Sequence, residues 1–290
     1  VYGFIPIQND LIASLIKHPY FQRLRRINQL GVLDLVYPGA RHTRFHHAIG
    51  AMHLMKEALN TLRDKGHEIS NEEYEATLIA ILLHDIGHGP FSHTLEKHIL
   101  QGVHHESLSV AFMHKLNNEF NNALSLAIEI FTNNYPRLFF NQLISSQLDI
   151  DRLDYLQRDS FFTGVHEGII GAERIIKMLN VVNEQLVVEA KGIYNVENFL
   201  NARRLMYWQV YLHKTAVSAE QMLKSIFKRA KYLALEGYKV EASPALKLFI
   251  DQKISINPIE ISDDYLHYFA QIDDYDIWGC LLYTSPSPRD

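Results

Sequence analysis

The sequence predicts an almost entirely α-helical protein interrupted by one small β-hairpin. Apolar residues recur at three- and four-residue intervals along most of the chain, glycines and prolines punctuate those runs, and only residues 181–194 read as β. At the N-terminus, Leu11, Leu15 and Ile16, then Phe21, Leu24, Ile27 and Leu30, fall at helical spacing. Pro19 separates these into two short helices and Gly31 stops the second. A turn-rich loop, Tyr37-Pro38-Gly39-Ala40-Arg41-His42-Thr43-Arg44-Phe45, leads into a helix from about His46 to Lys65. The next helix covers residues 72–86 and is broken by Gly87, Gly89 and Pro90, the last placed to open a helix over residues 91–100. Further helical patterns cover residues 106–118, 123–132, 141–159, 172–179, 196–236 and 244–252. In the β-like stretch, Leu186-Val187-Val188 and Gly192-Ile193-Tyr194 flank a turn at Lys191-Gly192.

Composition narrows the function classes. A chain of 290 residues suits one large domain, or a domain with a helical annex, and can bury a sizeable core. Its 47% hydrophobic and 21% charged content is ordinary for a globular protein. A net charge of -5 gives no general attraction for nucleic acid, so any polyanionic ligand needs locally placed Arg and Lys. The single cysteine, Cys280, excludes an intramolecular disulfide framework or a Cys-based zinc site and fits a reducing cytoplasm. With no long apolar run and no signal-type N-terminus, neither a membrane span nor secretion is expected. The chain begins at Val1 already in register with an apolar segment, so an N-terminal truncation is expected. The run from Leu281 to Asp290 breaks the helical pattern and resembles translated sequencing-adaptor read-through; the alternative is a genuine Ser/Pro tail.

The densest chemistry lies in Leu82-Leu83-His84-Asp85-Ile86-Gly87-His88-Gly89-Pro90-Phe91-Ser92-His93. An apolar helix ending in adjacent His and Asp carries two metal-ligand types into a protein interior, where an unpaired carboxylate is costly. Six of the sixteen histidines fall between His84 and His105, and His88 lies one helical turn past His84. His46 or His47, with His84, Asp85 and the distant Asp151, would supply two imidazoles and two carboxylates to one ion. That mixed N/O set suits Mn, Fe, Zn, Ni or Mg; a structural salt-bridge network is the alternative. Asp151, Tyr155 and Asp159 share one helical face, with Arg152 beside them. Arg203, Tyr207 and Tyr211 repeat that spacing and Lys214 extends it. An amphipathic helix with core aromatics and snorkelling cations would look the same.

The ordered set Arg44-Phe45-His46-His47, His84-Asp85 through His93, His105-Glu106, and Asp151-Arg152-Leu153-Asp154-Tyr155-Leu156-Gln157-Arg158-Asp159 resembles the HD-domain phosphohydrolases, and within them the deoxynucleoside triphosphate (dNTP) triphosphohydrolases. The resemblance covers about residues 3–235. It implies a mostly helical HD-domain fold, with a core over residues 1–179, a helical extension with the hairpin over residues 180–279 that completes the nucleotide site, and a non-native tail over residues 280–290. It implies one divalent ion per site held by His47, His84, Asp85 and Asp151, with further Mg accompanying the nucleotide. His88, His93, Glu96 and His105 fall on the family's catalytic histidines and their acidic partner. Arg44, Arg152, Tyr155, Arg203 and Lys214 would lie near the triphosphate, Gln29 and Asp159 at the sugar 3'-hydroxyl, Tyr211 against the deoxyribose and Leu30 near the base.

The implied reaction is metal-assisted attack at the α-phosphate, dGTPase-like, releasing a deoxynucleoside and triphosphate, with His93 or His105 protonating the leaving 5'-oxygen. A homo-oligomer, dimer or tetramer, is also implied. Arg25 and Phe45 match an allosteric nucleotide site, but Lys17 stands where a human member uses an acidic residue to read guanine, which puts guanine activation in doubt. The competing readings are an HD phosphohydrolase acting on another nucleotide or a phosphomonoester, and a non-catalytic sensor of nucleotides or single-stranded nucleic acid.

Overall fold

The computed structural model describes residues 1–7, 9–99, 103–252 and 261–284. Among them the α-helices run α1 (Asp10–Lys17), α2 (Pro19–Gln22), α3 (Arg44–Asp64), α4 (Asn71–Leu83), α5 (His93–Ile99), α6 (His105–Glu119), α7 (Ser125–Phe131) and α8 (Leu138–Ile144). The second half continues with α9 (Ile150–Thr163), α10 (Ala172–Met178), α11 (Ile193–Met206), α12 (Lys214–Leu235), α13 (Pro244–Ile250), α14 (Asp263–Phe269) and α15 (Asp274–Thr284). Between α10 and α11 lies one antiparallel hairpin, β1 (Leu179–Val182) and β2 (Gln185–Val188), with Leu179 opposite Val188 and Val182 opposite Gln185. The fold is therefore all-α with a single hairpin, as expected. No helix among the described residues is long and apolar enough to cross a membrane.

The core is built around α3, which packs on α4, α9 and α10. Ala76 to Leu83 of α4 are buried without a break, so this helix is apolar on every side and sits inside the bundle. Ser70 and Glu73 close its N-terminus by exchanging hydrogen bonds with each other's backbone amides. At its C-terminus the chain turns sharply through His84 to His88. Gly87 lies so near α6 that any side chain there would meet the backbone of His105 and Ser109. Gly50 on α3 likewise leaves room for Asp154 and Arg158 of α9.

Several boundaries differ from the sequence reading: the helix expected over residues 72–86 ends at Leu83, and the one expected over residues 91–100 begins at His93, because Phe91 and Ser92 have positive φ. α3 begins at Arg44 rather than His46, because the Thr43 hydroxyl and the His46 Nδ1 cap the first turn. The helix expected over residues 141–159 is two, α8 and α9; Asp149 starts the second by accepting from the amides of Ser146 (2.7 Å) and Arg152 (2.8 Å). The helix expected over residues 196–236 is interrupted by a π-turn, Tyr207–Tyr211, whose Gln209 carbonyl takes the Tyr37 hydroxyl at 2.6 Å. The hairpin turns at Asn183-Glu184, with φ of 52° and 59°, not at Lys191-Gly192, which lies in a short helical turn leading to α11. A two-residue hairpin turn needs positive φ at both positions, and Asn183 is a residue that tolerates it. At the C-terminus, α15 runs on through Leu281 to Thr284 and seats Trp278 edge-on against Phe91, so the helical pattern does not break at residue 281; residues 285–290 lie outside the described residues.

Two predictions concern stability. Gly87→Ala should cost about 1–3 kcal/mol in urea denaturation, since the collision is with backbone that cannot rotate away. Asp274 is buried, and burial pushes its carboxyl pKa up to about 6 despite amide hydrogen bonds from Asn28 and Phe91. The unfolded value is about 3.9, so the folded state binds this proton more tightly; the stabilisation is full below about pH 4 and lost as pH rises through about 6. From pH 4 to 7, stability should therefore fall relative to Asp274→Asn by up to about 3 kcal/mol. Parallel stability profiles for the two proteins would contradict this.

Candidate active site

The turn after α4 is held carbonyl by carbonyl. Ser109 on α6 donates its hydroxyl to the His84 carbonyl (2.7 Å) and accepts from the Gly87 amide (3.0 Å). The Asp85 carbonyl accepts from the His88 amide (3.1 Å), and the Ile86 carbonyl from the buried guanidinium of Arg23 (2.9 Å). These bonds satisfy groups a helix end leaves open and fix the turn that carries His84, Asp85 and His88.

Three side chains from three helical elements converge there. His47 Nε2 is 3.3 Å from His84 Nε2 and 3.0 Å from Asp151 Oδ1, and His84 Nε2 is 3.5 Å from the same oxygen. The far side of each ring is already committed. His47 Nδ1 donates to Asp154 Oδ2 (2.8 Å) and His84 Nδ1 donates to the Ile81 carbonyl (2.6 Å). With both Nδ1 atoms carrying hydrogen, neutral rings present two Nε2 lone pairs to each other and to a carboxylate. That arrangement is repulsive unless a positive charge lies among them, either a proton on His47, which Asp151 and Asp154 favour, or a metal ion. Ligands about 2.0–2.1 Å from a common ion are about 3.0–3.4 Å apart, the spacing seen here. The donor set thus fits a divalent ion, held by His47, His84 and Asp151.

Asp85, the fourth expected ligand, lies at the edge of this cluster, 3.3 Å from His84 Nε2 and 3.8 Å from His47 Nε2. One of its oxygens pairs with Arg44, and the other is 3.3 Å from His88 Nε2. Burial by itself would raise the Asp85 pKa, but Arg44, His84 and His88 outweigh it and hold it well below the carboxylate range. Burial opposes a charge on His47, yet Asp151 and Asp154 overcome it and raise its pKa to about 10. His84 is raised by Asp85 and Asp151 against the same burial. His88 goes the other way, pushed well down by burial and by the Arg44 charge. One turn of chain therefore holds histidines of opposite proton affinity.

His88 stacks on His105 with ring centroids 3.9 Å apart, and His105 Nδ1 is 3.0 Å from Glu96 Oε1. Three of the expected catalytic residues are thus assembled beside the ligands; the side chain of His93, at the start of α5, lies outside the described residues. A cavity of about 440 Å³ opens here, lined among others by His84, Asp85, His105, Glu106 and Asp151.

Further along α9, Asp159 is buried between two partners: His42 Nε2 at 2.7 Å from one oxygen, and the Tyr211 hydroxyl donating to the other at 2.8 Å. Tyr155 packs edge-on against Tyr211 (6.2 Å), Tyr211 against Tyr207 (5.1 Å), and the Arg203 guanidinium lies 5.8 Å from the Tyr207 ring. The Gln29 backbone N–H donates to the His42 carbonyl (3.0 Å), while the side-chain Oε1 is buried with no hydrogen-bond partner among the described residues. Leu30 is buried beside it. Lys214 opens α12 exposed to solvent.

Arg152 does not extend toward the cavity. Its guanidinium pairs with Asp149 at the start of its own helix, leaving Nε buried and unpartnered among the described residues. Arg25 lies flat on the Phe45 ring, 3.6 Å from its centroid. Between His46 and His47 the structure chooses His47; His46 is exposed and caps α3.

Sequence reasoning missed His42, Ser92, Asp149 and the Asp154–Arg158 pair. Asp154 joins Arg158 through two 2.9 Å hydrogen bonds while orienting His47. Its position three residues after Asp151, on the same helical face, was an available signal. His42 and Ser92 offered none.

Asp151→Asn should abolish stoichiometric divalent-metal binding in metal analysis after dialysis, with helical circular dichroism unchanged. Asp154→Asn should weaken binding by about 10- to 100-fold, since it frees the His47 ring without removing a ligand. Full metal content in Asp151→Asn would disprove the centre.

Models of the HD domain and of the HD associated region match residues 44–159 and 170–253. The chain is 35% identical over 285 residues to an uncharacterized protein, YwfO, of Bacillus subtilis (strain 168), covering 94% of this chain and 65% of that protein. It is 30% identical over 240 residues to the deoxynucleoside triphosphate triphosphohydrolase SAMHD1 homolog of Dictyostelium discoideum, covering 76% of this chain and 46% of that protein. A crystal structure of a phosphohydrolase from Bacteroides thetaiotaomicron VPI-5482 matches with a TM-score of 0.95 and 55% identity, over 99% of this chain and 71% of that one. The chain thus spans 65% and 46% of the length of these two curated relatives.

Proposed function

The chain belongs to the HD-domain phosphohydrolase family, and on that premise we propose that it hydrolyses deoxynucleoside triphosphates at the α-phosphate, releasing a deoxynucleoside and triphosphate. The observation that carries this choice of substrate is the Tyr211–Asp159 hydrogen bond (2.8 Å), two helical turns along α9 from Asp151. A ligand whose phosphate meets the His47–His84–Asp151 end has its sugar at the Asp159–Tyr211 end. There the Tyr155 and Tyr211 rings, packed edge-on with centroids 6.2 Å apart, would crowd a 2'-hydroxyl. One orphaned polar atom supports the same reading. Buried polar groups are normally bonded, and Gln29 Oε1 has no hydrogen-bond partner among the described residues; a sugar hydroxyl would supply it, whereas Arg152, paired with Asp149, would have to swing away from that partner to meet a phosphate.

A divalent ion held by His47, His84 and Asp151 would supply Lewis-acid charge to a phosphoryl oxygen and acidify water. The chain's own groups supply the rest. Asp154 and the Ile81 carbonyl fix the ring orientations. Arg44, beside Asp85, places a fixed positive charge where phosphate charge builds. His105, held at Nδ1 by Glu96, is oriented to pass a proton from Nε2 to the leaving 5'-oxygen. Expected partners are dNTPs and a second copy of the chain. A phosphomonoesterase would need the same metal end but not the aromatic one.

The test is triphosphate release from each dNTP and its ribonucleotide, with Mn, Mg, Fe, Zn or Ni supplied in turn. Tyr211→Ala should reduce the preference for dNTP over NTP by at least about tenfold, the effect of losing roughly one packed contact. No triphosphate from any dNTP would sink the proposal, and unchanged sugar preference would sink the role given to Tyr211.

A further inference from the structure

We infer that Asp274 is a positioning residue of this active site, acting from outside both matched regions through the Phe91–Ser92 turn onto Arg44. Its buried carboxylate accepts two backbone amides that are far apart in sequence, Phe91 N to Oδ1 (2.7 Å) and Asn28 N to Oδ2 (2.8 Å). The inference rests on the dNTP reading only for its kinetic test.

The first amide belongs to a turn that needs holding. Phe91 and Ser92 have φ of 53° and 49°, the left-handed region that residues with a side chain avoid, and both are buried. Such a conformation persists when its surroundings over-determine it. α15 does so twice over: Asp274 takes the Phe91 amide and Trp278 packs edge-on against the Phe91 ring (5.5 Å, 68°). The turn in its turn fixes Ser92, whose hydroxyl accepts from Arg44 Nε (2.8 Å). Arg44 then presents its terminal nitrogen to Asp85. The line Asp274–Phe91–Ser92–Arg44–Asp85 thus runs unbroken from the C-terminal helix to the metal cluster.

The second amide fixes the other side of the same arginine. Asn28 bridges to Thr43, the residue that caps α3, and the Ile27 carbonyl accepts from the Arg44 amide (3.0 Å). Backbone and guanidinium of Arg44 are therefore both referred to one carboxylate. Asparagine at 274 would keep one acceptor and turn an amide NH₂ against the other N–H, so it breaks half of the arrangement with little change of volume.

The test uses the whole chain, with three variants. In Asp274→Asn, amide exchange at Phe91 or Asn28 should quicken by about tenfold or more, and the Arg44 Nε–H signal in ¹⁵N NMR should lose protection from solvent. In the same variant kcat for dNTP hydrolysis should fall by about 10- to 100-fold with KM within about threefold, the signature of a misplaced group rather than lost binding. Ser92→Ala should reproduce the loss of Arg44 protection and of kcat while leaving the two backbone amides protected. Asp273→Asn, which removes a partner of Arg26 from the same segment, should do neither. Arg44 Nε–H protection equal to the parent in both Asp274→Asn and Ser92→Ala overturns the inference, as does equal loss in Asp273→Asn. Should the parent release no triphosphate, the substrate reading fails, and the NMR comparison decides the role of Asp274 alone.

Discussion

Two imidazole lone pairs and a carboxylate oxygen, each within 3.5 Å of the others, form the constraint on which the rest of this structure depends. Nothing in the neutral side chains themselves favours that meeting. It is imposed by what lies behind each ring: Asp154 and Arg158 behind His47, and the Ile81 carbonyl behind His84. Those supports in turn demand a close approach of α3 and α9, which Gly50 permits, and a tight exit from α4, which Gly87 and Ser109 permit. The glycines and the buried ion pairs are thus as much part of the site as its ligands. Taking an Asp–Arg pair out of water is costly, and the Asp154–Arg158 pair is tolerable because its two hydrogen bonds and the His47 contact leave no buried charge unmatched.

The proton affinities follow the same architecture. Within one turn, His84 and His88 are driven in opposite directions: His84 faces two carboxylates, while His88 is buried near the Arg44 charge. A neutral His88 stacked on His105 is a different chemical object from a ligand-side His84, although the two lie one helical turn apart in sequence. Divided roles within a short motif are what acid–base chemistry around a cation requires.

Much of this was legible in the sequence because it is local. The apolar run into His84-Asp85, the four-residue spacing of Asp151, Tyr155 and Asp159, and the Gly87-Gly89-Pro90 break all express backbone geometry over a few residues. What was not legible is carried by distance. His42 meets Asp159 across 117 residues, and Asp274 meets Phe91 across 183, with no local pattern announcing either. The hairpin turn was misplaced because Lys191-Gly192 has the better turn composition, whereas Asn183-Glu184 has the better strand register. The long helix over residues 196–236 contains no proline or glycine, so its interruption comes from tertiary contacts, Tyr37 on the Gln209 carbonyl and Tyr211 on Asp159.

That interruption also limits how the chain can change length. A π-turn is, in effect, an α-helix that has absorbed one extra residue. Removing any one residue between Tyr207 and Tyr211 would restore the ordinary period and swing whatever follows by about 100°. The Tyr211 hydroxyl would leave Asp159, and α12 would point elsewhere. Loops in this fold can drift in length over evolutionary time; this five-residue segment, placed in the middle of what reads as uninterrupted helix, is where a single-codon deletion would be least tolerated.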